Sequence, residues 1–473
     1  VTATATREDQ YGLPISTSSD RAAASYAAGQ ECVLAHGVNP AGFFEASIAE
    51  DPDFALAHSA LALVHLRDLR LGEARASAEA AGRLASRASR RERQHAAAVV
   101  DATSGRGPMA IERMREQLQE FPNDALMLNS SVTSLLFAGR QDEMVQVTET
   151  AGRGYAADDW FYLGLHAFAL QEVRRYEEAR RAALLSLERY PLAAFTTHAI
   201  AHVFYETGEF GEGAAFMPGW LDTYDRRGGM HLHLSWHLAL FLLARGQYAR
   251  VFDLYVSHIR PAAQPGSFQL YDPISLLWRT DAYSGRSRPE LWQELGVISN
   301  DRAAPGMIFA DLHHGMALAT TAQQEPLDRL LESFRARGAR GNATAGDVAL
   351  PLLQGLIAFA NADYDAAVAL IEPIEDRIYL VGGSKAQREV FHDTLLEALL
   401  RTGRYEAAEQ RLRVRLDRRP SPRDFYRLSR LNATTGNIQE ARAASQRVME
   451  LWSESDVDAP EPAAARQLHL SLS

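Results

Sequence analysis

Apolar residues return every three or four positions along most of the chain, with Ala, Leu, Arg and Glu filling the turns and hardly any β-branched alternation. That period marks one face of an α-helix, so the pattern predicts helices almost throughout and an all-α fold. The helices carry a recurring phrase: an apolar helix, a short break with Gly, an aromatic two residues later, then a second amphipathic helix containing Ala. It reads RRYEEARRAALLSLERYP at 174–191, TGEFGEGAAFM at 207–217, RGQYARVFDLY at 245–255, NADYDAAVALIEP at 361–373, TGRYEAAEQRLRVRLDRRP at 402–420 and TGNIQEARAASQRV at 435–448. Weaker copies occupy 52–81 and 121–147.

Tyr176 and Phe210 are 34 residues apart and Phe210 and Tyr248 are 38 apart, which brackets the tetratricopeptide period. Small residues such as Ala179 and Ala408 let paired helices approach, and each pair leaves an apolar face that only its neighbour can cover. The expected fold is therefore a tetratricopeptide-type helical repeat superhelix, an α-solenoid of about eight helix pairs. Its organisation reads as an N-terminal helical segment (1–50), a repeat array (51–450) and a C-terminal tail (451–473). HIRPAAQPGSFQLYDP (258–273) and RARGARGNATAGD (335–347), rich in Gly, Pro and small polar residues, read as long connections within that array.

Composition narrows the function classes. The 473 residues hold 49 Lys plus Arg against 60 Asp plus Glu, a net charge of −11, and are 47% apolar. This is a globular composition without the basic surplus that nucleic acid or an anionic membrane requires. The longest apolar run, Leu238 to Ala244, is far short of the roughly 20 residues of a membrane span. The single cysteine, Cys32, excludes an internal disulfide and any CxxC motif, and the first residues lack the apolar core of a signal peptide. A cytoplasmic location is the expectation.

Histidine spacing is the main chemical anomaly. His198 and His202, and His233 and His237, form two i, i+4 pairs, so each pair shares a helix face. The pairs are 35 residues apart, about one repeat, and can converge from neighbouring first helices. In tetratricopeptide register His198, His202 and Tyr205 face the concave groove, as do His233 and Trp236, while His237 is more lateral. Three readings follow: helix-packing histidines, a metal-free polar pocket for acid–base work, or, as the minority expectation, a zinc, iron or copper site. The metal reading is the weakest because no carboxylate is fixed beside either pair and HAIAH lacks the Glu of HExxH. Further on, Asp311 and His314 in DLHHGMAL have the i, i+3 spacing at which a carboxylate can orient an imidazole, although an exposed surface pair is the commoner outcome. Arg279 and Arg388 are candidates to hold an anionic substrate group, while Ser384 and Gln387 form a capping-box pattern that starts a helix.

YGLPIST (11–17), RERQH (91–95), LHAFALQE (165–172), HAIAHVFYETGEFGEG (198–213), HLSWHLALFLLARGQY (233–248), SLLWR (275–279), DLHHGMAL (311–318) and GGSKAQREVF (382–391) run over most of the chain. In these phrases the sequence resembles the tetratricopeptide repeat protein 38-like family. The resemblance implies an all-helical repeat fold with histidine-bearing first helices, and no defined activity. The chain departs from that pattern at Tyr205 and at Gln171, where the family usually or often carries Glu; the missing carboxylates further weaken the metal reading.

The expected function is a concave pocket for a small molecule. Its acid–base set is His198, His202, His233, His237, Asp311 and His314, and Phe168, Tyr205, Trp236, Arg279 and Arg388 line it. The alternative is a scaffold whose groove takes an extended peptide or partner protein. No cofactor is expected beyond the minority metal.

Overall fold

The computed structural model describes residues 7–264, 269–300 and 306–472. Apart from a two-residue antiparallel pairing of Arg7–Glu8 with Pro14–Ile15, the regular structure of these residues is helical. The helices follow one another in pairs, and many of them pack on a sequence neighbour. Within the pairs the turn residue takes left-handed backbone, at Leu69, Gly105, Gly139, Arg174, Gly208, Gly246, Gly285, Ala322, Ala362, Gly403 and Gly436. The spacing of these turns runs from 33 residues (Gly403 to Gly436) to 41 (Ala362 to Gly403), so the repeat is looser than a strict 34.

Twelve such pairs occur among the described residues, beginning with Asp20–Leu34 and Pro40–Glu50, against the eight expected. The shortfall has a physical origin. The four unread pairs are Asp20–Leu34 with Pro40–Glu50, Arg90–Thr103 with Gly107–Glu120, Tyr271–Ser284 with Pro289–Asn300 and Ile308–Thr320 with Gln324–Ala339, and none has the aromatic two residues after its turn that marks the phrase. The segment 1–50 is thus the first pair of the series, and the expected tail carries a further helix, Pro460–Leu472, packed on Ile438–Leu451.

The two supposed connections are largely helical. Gln324–Ala339 covers the first part of 335–347, and a π-helical turn resumes at Thr344–Ala349. Two of its glycines serve packing: a Cβ on Gly338 would lie 2.8 Å from the Cα of Gly346, so two backbones meet where a side chain would part them. In 258–273, helix continues to Ala262 and begins again at Tyr271, and 265–268 lie outside the described residues.

The chain divides into two compact units: Val1–Ile200 with Thr223–His231 and Gly266–Phe268, and Ala201–Asp222 with Leu232–Pro265 and Gln269–Ser473. In the first, buried Arg91 of RERQH binds Asp9 at 2.7 Å and Asp124 at 3.0 Å, tying the N-terminal strands to the helices behind them. Burial pushes the Asp124 carboxyl up, but Arg91 overcomes it and holds it at about 2.

The second unit contains a buried ionic ladder. Glu389, Asp393 and Glu397 stand four apart on Lys385–Arg401 and share one face. Arg415 reaches Glu389 (3.0 Å), Asp393 (2.9 Å) and Asp424 (2.9 Å). Arg419 binds Glu389, and Arg427 binds Glu397 (2.7 Å) and Asp424 (2.8 Å). Arg423 grips Glu461 of the last helix at 3.0 Å. The hydroxyls of Tyr205, Tyr283 and Tyr248 donate to Glu389, Asp393 and Glu461.

Removing one partner of a buried ion pair strands the other charge. Arg427→Met should therefore cost about 3–5 kcal/mol, whereas Arg329→Met, which breaks the exposed pair with Glu325, should cost less than about 1 kcal/mol. Urea unfolding of the two variants measures the difference; equal losses would mean the ladder is no more than a solvated face.

The turns give a second expectation. Gly208 and Gly436 share left-handed backbone, but only at Gly208 would a Cβ meet a neighbour, the Pro420 ring and carbonyl at 2.9 Å. Gly436→Ala should cost about 1 kcal/mol from backbone strain, and Gly208→Ala about 1–3 kcal/mol more from the clash. Identical melting temperatures would refute the close packing at Gly208.

Candidate functional site

Four of the predicted residues meet. His198 and His202 lie one turn apart on Ala194–Thr207, and His233 and His237 one turn apart on His231–Ala244. One ring nitrogen from each lies within 4.8 Å of the others, and all four side chains are buried. The His202 and His237 rings are 4.6 Å apart, and those of His233 and His237 4.8 Å, both edge to face. His237 is therefore central, where the groove register made it lateral. His231–Ala244 is buried on every side, so it has no exposed groove face, and His237 turns toward the preceding first helix.

Aromatic rings pack against the group. Trp236 stacks on His233 (5.3 Å, 16°) and meets His237 edge-on (4.8 Å). Phe168, also predicted, stacks on His198 at 4.9 Å. Tyr205 differs from its expected place on an open groove: it is 7% exposed, donates to Glu389 at 2.6 Å and lies under the Arg419 guanidinium at 4.3 Å. Its hydroxyl belongs to the ionic ladder.

The carboxylate that the sequence left missing is Asp272. Its Oδ2 accepts the Nδ1–H of His233 at 2.7 Å. In a neutral ring that bond would place the lone pair on Nε2, the arrangement by which carboxylates orient metal-binding or proton-accepting imidazoles. Asp272 arrives from Tyr271–Ser284, 39 residues after His233, in a segment assigned to a connection, so no local spacing advertised it. Burial pushes its carboxyl up, opposed by His233, Gln387 and Arg279.

Arg279, from the same helix, spends donors on the protein. It bonds Ser275 Oγ (2.7 Å) and the Ala386 carbonyl (2.6 Å), with its guanidinium 5.6 Å from the Trp236 ring. Arg388 donates to the Gly383 carbonyl, and the predicted Ser384–Gln387 capping box is formed. These contacts fasten the first turn of Lys385–Arg401 beside Trp236.

The DLHHG segment is buried, against the expectation of an exposed pair. Asp311 accepts from the Gly306 amide and faces Arg337 at 3.4 Å, and His314 Nδ1 bonds Ser299 Oγ at 3.0 Å. Its neighbour His313 donates Nδ1–H to the Phe309 carbonyl at 2.8 Å and is held neutral by burial, down to about 3.

Burial, with His233 and Lys385 adding to it, holds His202 well below the usual imidazole range. Burial, then His202, His233 and Arg279, does the same to His237. Both therefore bind fewer protons folded than unfolded below about pH 6.5. Their stabilising contribution is complete above that pH and is lost as pH falls, by up to about 1.4 kcal/mol per unit for each. In chelator-treated protein, His202→Gln combined with His237→Gln should flatten the decline of urea stability between about pH 7 and 5. An unchanged slope would show that these rings are not the neutral groups burial makes them.

No protein-family model matches the chain, and the reading of this centre rests on its own geometry.

Proposed function

We propose that the four imidazoles bind one transition-metal ion and that the protein works on a small molecule at this buried centre. The observation that carries the reading is the convergence of four buried histidine nitrogens within 4.8 Å, one of them oriented by Asp272. Neutral imidazole suits zinc, iron or copper, and burial keeps His202 and His237 in that form. A tetrahedral set with bonds of about 2.0 Å separates its nitrogens by about 3.3 Å, so the rings would draw inward on binding.

The alternative, a groove gripping an extended peptide, needs side chains that a peptide can reach. His202, His237 and Trp236 are fully buried, which favours a small ligand. The phrases behind the proposed kinship with the tetratricopeptide repeat protein 38-like family add support. HAIAH, HLSWH, SLLWR and GGSKAQR supply the histidines, Trp236, Arg279 and the helix start fastened beside them.

Protein made without a histidine tag should carry zinc, iron or copper near one equivalent per chain, and His202→Ala with His237→Ala should lose it. Asp272→Asn, which keeps an acceptor for Nδ1–H but not the charge, should weaken metal binding about 10- to 100-fold. Elemental analysis and competition with a chelator read both. Less than about a tenth of an equivalent, with no rise on reconstitution, would leave the histidines as hydrogen-bonding groups.

A further inference from the structure

The first unit buries a group of polar side chains that the surrounding helices leave unpaired. Tyr26 and Gln30 stand one turn apart on Asp20–Leu34, and His95 stands one turn after Arg91 on Arg90–Thr103. Ala55–Arg67 packs on both of these helices and carries Ser59. Gln117, on Gly107–Glu120, donates its amide to the Asp124 carboxylate at 3.0 Å and to the Arg91 carbonyl at 3.3 Å. All five side chains are 0% exposed. Among the described residues, however, the Tyr26 and Ser59 hydroxyls, both ends of the Gln30 amide, both nitrogens of His95 and Gln117 Oε1 have no hydrogen-bond partner. Turning the Gln30 amide or exchanging the His95 tautomer repairs nothing, because both polar atoms of each are bare. Buried polar groups are nearly always paired, so this many in one unit call for an occupant that pairs them.

The Arg91 ion pairs are the common neighbour. Arg91 holds Asp9 and Asp124, and Gln117 bonds to both Asp124 and Arg91. Burial pushes the Tyr26 hydroxyl up and the His95 imidazole down, and Arg91, Asp9, Asp124 and Glu92 act on both. These ions already have their hydrogen bonds. Asp9 accepts the Tyr11 and Leu13 amides, Asp124 accepts Arg91 and Gln117, and Glu92 accepts the Ser16 and Ser89 amides. What is left over is a neutral set that both gives and takes hydrogen bonds. A carboxylate or phosphate only accepts, and would leave the two amide oxygens and the imidazole lone pair bare. An ammonium only donates, and would leave the Gln30 and His95 N–H groups bare. A hydroxyl does both.

We propose that Tyr26, Gln30, His95 and Gln117 form a second binding site, inside the first unit, for a small uncharged polyhydroxylated molecule, a sugar or polyol. The site uses none of the four clustered histidines, so it stands or falls independently of the metal.

The test uses the full chain with glucose and myo-inositol as probes, and succinate and putrescine as the charged controls. At millimolar concentration either probe should raise the melting temperature saturably by about 2 °C. Tyr26→Phe removes only the hydroxyl, and Gln30→Met replaces the amide by an apolar chain of similar length. Each should weaken binding about tenfold in equilibrium dialysis. Without probe, Tyr26→Phe should melt no lower than the wild type, because a hydroxyl lacking a partner has no bond to lose. Mass spectrometry of the filtrate after denaturing the purified protein reads any sugar or polyol already held. A shift equal in wild type and both variants would be a general solvent effect and would overturn the proposal. So would an equal response to succinate or putrescine, or a lower melting temperature for Tyr26→Phe without probe. Neither a released sugar or polyol nor a shift with either probe would leave ordered water as the occupant, which also overturns it.

Discussion

A carboxylate taken out of water must find charge and hydrogen bonds inside, and Glu389 is where that requirement organises the second unit. Burial pushes its carboxyl up, yet Arg419, Arg415 and Arg418 overcome this and hold it ionised, while Tyr205 donates to its other oxygen. Tyr205 stands three residues after His202, and Glu389 four after Lys385, so this anion relates the histidine helix to the lysine helix. Desolvating such ions costs several kcal/mol each, and only a fully satisfied network offsets that cost. The ladder gains specificity by the same logic: a slip of either helix by one turn would leave charges without partners.

The fold was legible in the sequence because helix period and turn glycines are local signals. The apolar spacing predicts the helices, and the Gly–aromatic phrase predicts most of the pairs. Where no aromatic stands two residues after the turn, as at Gly105, Gly285 and Ala322, the phrase falls silent although the backbone is the same. RARGARGNATAGD misled for a related reason: glycine marks both loops and close helix crossings, and composition does not separate the two.

Less of the site could be read. The two i, i+4 pairs at one repeat spacing announced the histidines, and the capping box announced the start of Lys385–Arg401. Asp272 could not be found this way, since its link to His233 spans 39 residues and depends on how successive pairs stack. The ladder was hidden because Arg and Glu on amphipathic helices look like a wet face; only the helices packed over them turn Arg427 and Glu389 inward.

The non-glycine turns have a consequence for the chain's history. Leu69, Arg174, Ala322 and Ala362 each hold a backbone that disfavours a side chain by roughly 1–2 kcal/mol, partly repaid by a less floppy unfolded chain. Because successive pairs contribute nearly independently in repeat proteins, this strain is distributed along the chain and never concentrated at one failure point. Each such turn is one substitution from relief, so the protein carries untapped stability in scattered instalments. That reserve is what a lineage can draw on when a buried histidine centre demands residues that folding alone would reject.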